Sequence, residues 1–255
     1  MNAKRPNRDG RDKCGLRPVE ITAGFHRFAE GSALYRSGAT AVLVTVSVDE
    51  SVPEFLRGKG RGWLTAEYQM HPRANPLRRE NRDGRERPLG GRTREIQRLI
   101  GRSLRAAIAP EHLGERTITV DCDVLEADGG TRTAAVTGGW FALAMALDKL
   151  RRQGRLLGPV LRDQIAAVSV GHVDGELLLD LCYSEDSVAR VDMNLVATHG
   201  GDIVEVQSTA EGAAVPRLDI DAMIDLGLQG VGALCKIQRE ALERAGVDWE
   251  RLFGR

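Results

Sequence analysis

Apolar residues recur along the chain with two different periods, and the change between them falls near its middle. From Ile118 to Val124 the side chains of Ile118, Val120, Cys122 and Val124 alternate with Thr119, Asp121 and Asp123, the period of a half-buried strand. Further on, Val136, Trp140, Leu143, Leu147 and Leu150 follow at helical spacing and form one apolar stripe. Upstream, Ala33 to Val48 predicts a strand, a Ser-Gly turn and a second, β-branched strand, and Trp63 to Met70 a short strand after a Gly-rich loop. A helix over Thr93 to Ala109 would turn Ile96, Leu99, Ile100 and Leu104 inward and leave Arg94, Arg98, Arg102 and Arg105 elsewhere. Downstream, Ala166 to Val173 reads as a strand, Asp174-Gly175 as a hairpin turn and Glu176 to Tyr183 as the returning strand. Met193 to Thr198 and Ile203 to Gln207 make another hairpin, and two amphipathic helices, Leu218 to Leu234 and Ile237 to Ala245, close the chain.

Charge sharpens this picture. Lys+Arg and Asp+Glu both number 36, so the net charge of zero points to no partner by itself. Between Gln69 and Arg105, however, eleven arginines face four acids, and 71–91 lacks any apolar period. That stretch reads either as a solvated linker or as a mobile basic loop suited to a nucleic-acid backbone, and the arginines continuing onto the next helix favour the second. Residues 1–17 are polar, with an arm at 1–15 expected to stay poorly ordered until something docks it. The 255 residues, 42% of them hydrophobic, suffice for one good core, so a single domain over 1–255 is expected. The four cysteines lie far apart, which argues against a zinc site or disulfide framework; with no apolar run of membrane length and a polar start, a cytoplasmic protein with no membrane partner is expected.

Candidate chemistry lies where the periods change. Asp128-Gly129-Gly130-Thr131-Arg132-Thr133 joins strand to helix, so free N–H groups, two hydroxyls and a guanidinium converge where an anion could sit. The same residues also suit a tight turn with a capped helix. Arg92, just before the predicted helix at 93, is placed to reach an anion held by another loop. Asp180 interrupts the apolar run Leu177 to Cys182, with Asp186 six residues on and Asp192 six beyond that. An acid in that run either faces solvent or is held by a cation, and a carboxylate pair at a strand end suits a divalent cation or general acid. The five histidines show no ligand spacing, and no Ser-His-Asp or Cys-His pairing is evident, which argues against a side-chain nucleophile.

Taken together, the segments Arg8-Asp9-Gly10-Arg11, GWLTAEY (62–68), GGRTREIQRLIGRSLR (90–105), DGGTRTA (128–134), Glu185-Asp186-Ser187, Asp192-Met193-Asn194 and EVQSTAEG (205–212) resemble, in order, the bacterial ribonuclease PH family of phosphate-dependent 3′ exoribonucleases. Ser208 stands where the family usually has glycine, and Gly38-Ala39-Thr40 lacks its usual acid. The resemblance implies an α/β (α+β) fold of βαβ units with a mixed sheet and packed helices, similar to ribosomal protein S5 domain 2, assembled as a homo-hexameric trimer of dimers. It implies trimming of tRNA precursors with inorganic phosphate as co-substrate and Mg2+ as cofactor, releasing nucleoside diphosphates. By the same resemblance Arg92, Gly130, Thr131 and Arg132 would bind phosphate, Asp180 and Asp186 would be catalytic and metal-binding, and Arg73, Arg78 and Arg79 would contact RNA. A non-catalytic RNA-binding subunit of an exosome-like ring is the alternative; such a subunit would be expected to lack the phosphate-site arginine or the acidic pair.

Overall fold

The structure, a computed structural model, describes residues 8, 10–81 and 88–254. The start of the polar arm and residues 82–87 of the arginine loop lie outside these. Five strands form a mixed sheet in the order β1-β2-β3-β5-β4, with β1 Val19–Ala23, β2 Gly31–Ser37, β3 Thr40–Asp49, β4 Trp63–Met70 and β5 Thr117–Glu126. Only the β4–β5 pair is parallel, and the chain between them runs through helices α1 (Gly91–Ala106) and α2 (Pro110–Leu113), a βαβ crossover. The predicted alternation of β5 holds: Ile118, Val120, Cys122 and Val124 are buried, and Asp121 and Asp123 lie on the other face.

A second sheet is wholly antiparallel, in the order β7-β6-β8-β9, with β6 Ile165–Val173, β7 Glu176–Leu179, β8 Val191–Thr198 and β9 Ile203–Ala210. Helix α3 (Thr131–Arg152) touches β2 and β3 of the first sheet and β6 of the second. It is buried nearly all round, Trp140 and Phe141 included, as expected of a helix between two layers. The outer face of the second sheet is covered by α5 (Arg217–Arg244). Two helices were expected there, but the chain runs on as one. Two of its glycines serve close packing: a Cβ at Gly227 would lie 2.6 Å from Leu195 Cδ2, and one at Gly230 2.8 Å from Leu179 Cδ1.

Where the sequence predicts one strand over Glu176 to Tyr183, β7 stops at Leu179. Asp180 takes φ +55°, left-handed for a residue with a Cβ, and so cannot continue the ladder. The chain turns there and forms a single helical turn, α4 (Tyr183–Asp186). Strand β1, unanticipated in the sequence, pairs along its whole length with β2. None of the described helices is long and apolar enough to cross a membrane.

Candidate active site

Between β5 and α3 the backbone reverses at Gly129 and Gly130, with φ +75° and +64°. A side chain at Gly129 would meet the backbone of the next segment, its Cβ 2.6 Å from Leu181 O and 2.9 Å from Tyr183 N. The turn is therefore seated directly on residues 181–183, and Tyr183 N–H donates to Asp128 Oδ1 at 3.2 Å. This geometry aims the start of α3 into a cavity of about 340 Å³. No described side chain caps that helix start, so its first N–H groups are left for an anion. Thr131 Oγ1 is 2.9 Å from the Tyr68 hydroxyl, which anchors it at the cavity floor. Burial raises the pKa of the Tyr68 phenol, and Arg92 and Arg132 partly offset that.

The two arginines come from different elements. Arg92 stands in the first turn of α1, which begins two residues earlier than expected, and lines the cavity with its side chain exposed. Arg132 follows the glycine turn, donates to Gln207 Oε1 on β9 at 3.0 Å and pairs with Glu95 Oε1 at 3.4 Å. Opposite them, Asp186 from α4 and Asp192 from β8 line the same cavity. Burial raises both carboxyl pKa values; the charge of Asp186 adds to the rise at Asp192, while Arg92 and Arg132 pull both back. Two cations and two mutually repelling carboxyls thus face one space, with Asn194 and Ser169 at its back.

Of the expected residues, Arg92, Gly130, Thr131, Arg132 and Asp186 meet at this cavity. Asp180 does not. It is buried at 5% exposure behind the turn, where Arg17 Nη2 donates to Oδ1 at 2.6 Å and Arg17 N and Ser37 Oγ donate to Oδ2 at 2.8 and 3.3 Å. Its oxygens are taken up inside the protein and it does not line the cavity, whereas Asp192 lines it together with Asp186. Arg78 reaches the cavity and pairs with Glu80 at 2.9 Å. Arg73 lines a neighbouring cavity of about 440 Å³, and Arg79 is exposed outside both. Tyr183, which the sequence did not single out, is 53% exposed on the wall the two cavities share. The signal for Asp192 was its six-residue spacing from Asp186 at the head of strand β8; for Tyr183 there was no local signal.

An anion site built from a glycine turn, a helix start and two arginines, with a carboxyl pair opposite, is the arrangement of a phosphoryl-transferring protein. The chain belongs to the 3′ exoribonuclease family: the family's model for domain 1 matches residues 15–147 and that for domain 2 residues 163–230. Over 246 residues, 96% of this chain and all of the relative, it is 50% identical to "Ribonuclease PH" of Crocosphaera subtropica. Solved structures share the fold at lower identity. Rice (Oryza sativa) Rrp46 superposes with a TM-score of 0.74 at 20% identity, covering 92% of this chain and 99% of its own. A chain of the Archaeoglobus fulgidus exosome with RNA bound to the active site gives 0.69 at 23%, covering 92% and 91%.

Proposed function

We propose that the protein is a phosphate-dependent 3′-to-5′ exoribonuclease acting on the 3′ ends of tRNA precursors, and the observation that carries this is the meeting of Arg92, Arg132 and the uncapped start of α3 with the Asp186–Asp192 pair at one cavity. Inorganic phosphate is held by the two guanidinium groups, Thr131 and the N–H groups after Gly130. One of its oxygens attacks the phosphorus of the last phosphodiester in line. A new P–O bond forms, the bond to the 3′ oxygen of the preceding nucleotide breaks, and that oxygen takes a proton as a nucleoside diphosphate leaves. The protein's work is to bring two anions together and to offset their repulsion, which needs fixed cations rather than a side-chain nucleophile.

Burial raises the pKa values of the carboxyl pair, and the pair gives up its protons when it holds a cation, so the departing oxygen takes its proton from solvent water in the cavity. Two carboxylates beside a phosphate site are the donor set Mg2+ commonly uses, so Asp186 and Asp192 would hold that cation, which would offset charge on the departing oxygen. Asp180 has no such part. The single-stranded RNA end runs past Arg73, Arg78 and Arg79, with the exposed ring of Tyr183 as a platform for an unpaired base. The reading extends to one functional unit over 1–255, a homo-hexameric assembly and a cytoplasmic location. Helix α3, shared by both sheets, supports the first; the likeness to exosome chains supports the second; four free thiols support the third. A non-catalytic RNA-binding subunit would need neither the paired arginines nor the carboxyl pair.

Incubating the protein with a tRNA bearing extra 3′ nucleotides and Mg2+, with and without phosphate, tests the reading. Nucleoside diphosphates released only with phosphate are the expected result. Monophosphates released without phosphate would mean hydrolysis, and binding without release would mean an inactive subunit.

A further inference from the structure

Two buried acids, Asp180 and Glu185, precede Asp186 on the short stretch that carries it, yet neither reaches the cavity. Both are met by arginines from the N-terminal segment. Glu185 is 0% exposed; Arg8 Nη1 donates to its Oε1 at 2.8 Å, and Arg11 Nη2 lies 3.5 Å from Oε2. The same carboxylate accepts from Cys182 N–H at 3.0 Å and so fixes the start of the single turn α4. Arg8 also donates to Leu179 O at 2.9 Å, Arg11 to Asp180 O at 3.2 Å, and Leu179 N–H to Lys13 O at 2.8 Å. Arg17 completes the set. One nitrogen of its guanidinium binds Asp180 Oδ1, and the other donates to Asp128 O at 2.6 Å, the residue before the glycine turn.

A four-residue helical turn has no stability of its own, so its orientation is set by whatever grips it. Successive residues on a helix point about 100° apart, so pinning Glu185 into the arm directs Asp186 away from it, toward the cavity. We propose that Arg8, Arg11 and Arg17 are positioning residues for the reaction: by gripping Glu185 and Asp180 they hold Asp186 and the phosphate-binding turn in fixed relation to each other. These three arginines are thus part of the catalytic architecture although none of them lines the cavity. The inference rests on the proposed role of Asp186, so that role is tested alongside it.

The full-length variants Arg8→Ala, Arg8→Ala/Arg11→Ala, Arg8→Lys and Asp186→Asn would be compared with wild type for kcat, KM for phosphate, RNA affinity, half-saturating Mg2+ and Tm. Misplacing a reacting group by an ångström can cost about 100-fold, so Arg8→Ala is expected to lower kcat about tenfold and the double variant further. RNA affinity should stay within about twofold, since Arg8 and Arg11 line neither cavity, while half-saturating Mg2+ should rise. Arg8→Lys keeps the charge opposite Glu185 but cannot also reach Leu179 O, so about a threefold loss is expected. That variant carries the test if Arg8→Ala does not fold. Wild-type kcat in the arm variants, with only Tm lowered, would show a merely structural clamp and overturn the inference while leaving Asp186 in place. Wild-type kcat in Asp186→Asn would overturn both.

Discussion

Replacing Gly129 by alanine separates the geometry of the site from its chemistry, because alanine adds no charge and removes no ligand. Two costs arise. The first is conformational: at φ +75° an L-residue pays roughly 1 kcal/mol relative to glycine. The second is steric and specific to this position. The new Cβ would sit 2.6 Å from Leu181 O and 2.8 Å from Cys182 C, while ordinary contacts begin near 3.4 Å, so the turn and the segment leading into α4 must part by most of an ångström. Those two segments carry the phosphate site and Asp186, so kcat should fall about 100-fold, the loss typical of a misplacement that size. Gly175 supplies the control, since it has φ +82° and open space around its would-be Cβ, far from the site on the β6–β7 hairpin. Gly175→Ala should lose a similar first increment of stability, read by urea unfolding, and keep wild-type turnover. Turnover of Gly129→Ala within threefold of wild type would refute the reasoning, since the spacing between turn and acid strip would then not matter.

If Arg132 holds phosphate as proposed, Arg132→Ala should raise KM for phosphate about 10- to 100-fold in steady-state trimming assays with RNA affinity nearly unchanged. Tyr183→Ala should do the reverse, weakening binding of a single-stranded 3′ end about tenfold by fluorescence anisotropy, the worth of one stacked base. Because burial raises the Asp186 and Asp192 pKa values, Mg2+ must displace protons: affinity should rise with pH through those values and then level off, with proton release seen by calorimetry in buffers of different ionisation enthalpy. In the metal-free protein the sign follows from the same shift: the pair favours folding while protonated and loses that advantage as pH rises from the unfolded pKa through the folded one, so Asp192→Asn should raise Tm at neutral pH.

Much of the fold was legible because its elements are amphipathic or sharply punctuated. The alternation of Ile118 to Val124 and the Asp174-Gly175 turn, which takes positive φ at both residues, are local signals and are realised where the sequence places them. Helix α5 was expected as two helices parting at Cys235-Lys236, yet Cys235 is buried and the chain stays helical through both, held by packing on the second sheet, a tertiary fact with no local signature. In the site, the glycine turn with Thr131 and Arg132 could be read directly, since backbone freedom, helix start and cation lie within a few residues. The acid pair could not. Asp180 and Asp192 look alike in sequence, and what separates them is Arg17, which lies 163 residues away from Asp180 and claims it. The resemblance to a family located the acidic region but not which carboxylates line the cavity.

The seating of Gly129 against Leu181 also bears on how the active protein comes into being. The turn belongs to the first sheet's side of the chain and the acid strip to the second, so the site exists only once both layers have closed on α3. Contacts of such long sequence separation are late and slow to form. On dilution from denaturant the helical signal should therefore return before turnover does, and a chain caught in that interval would hold nearly all its secondary structure and no catalytic centre.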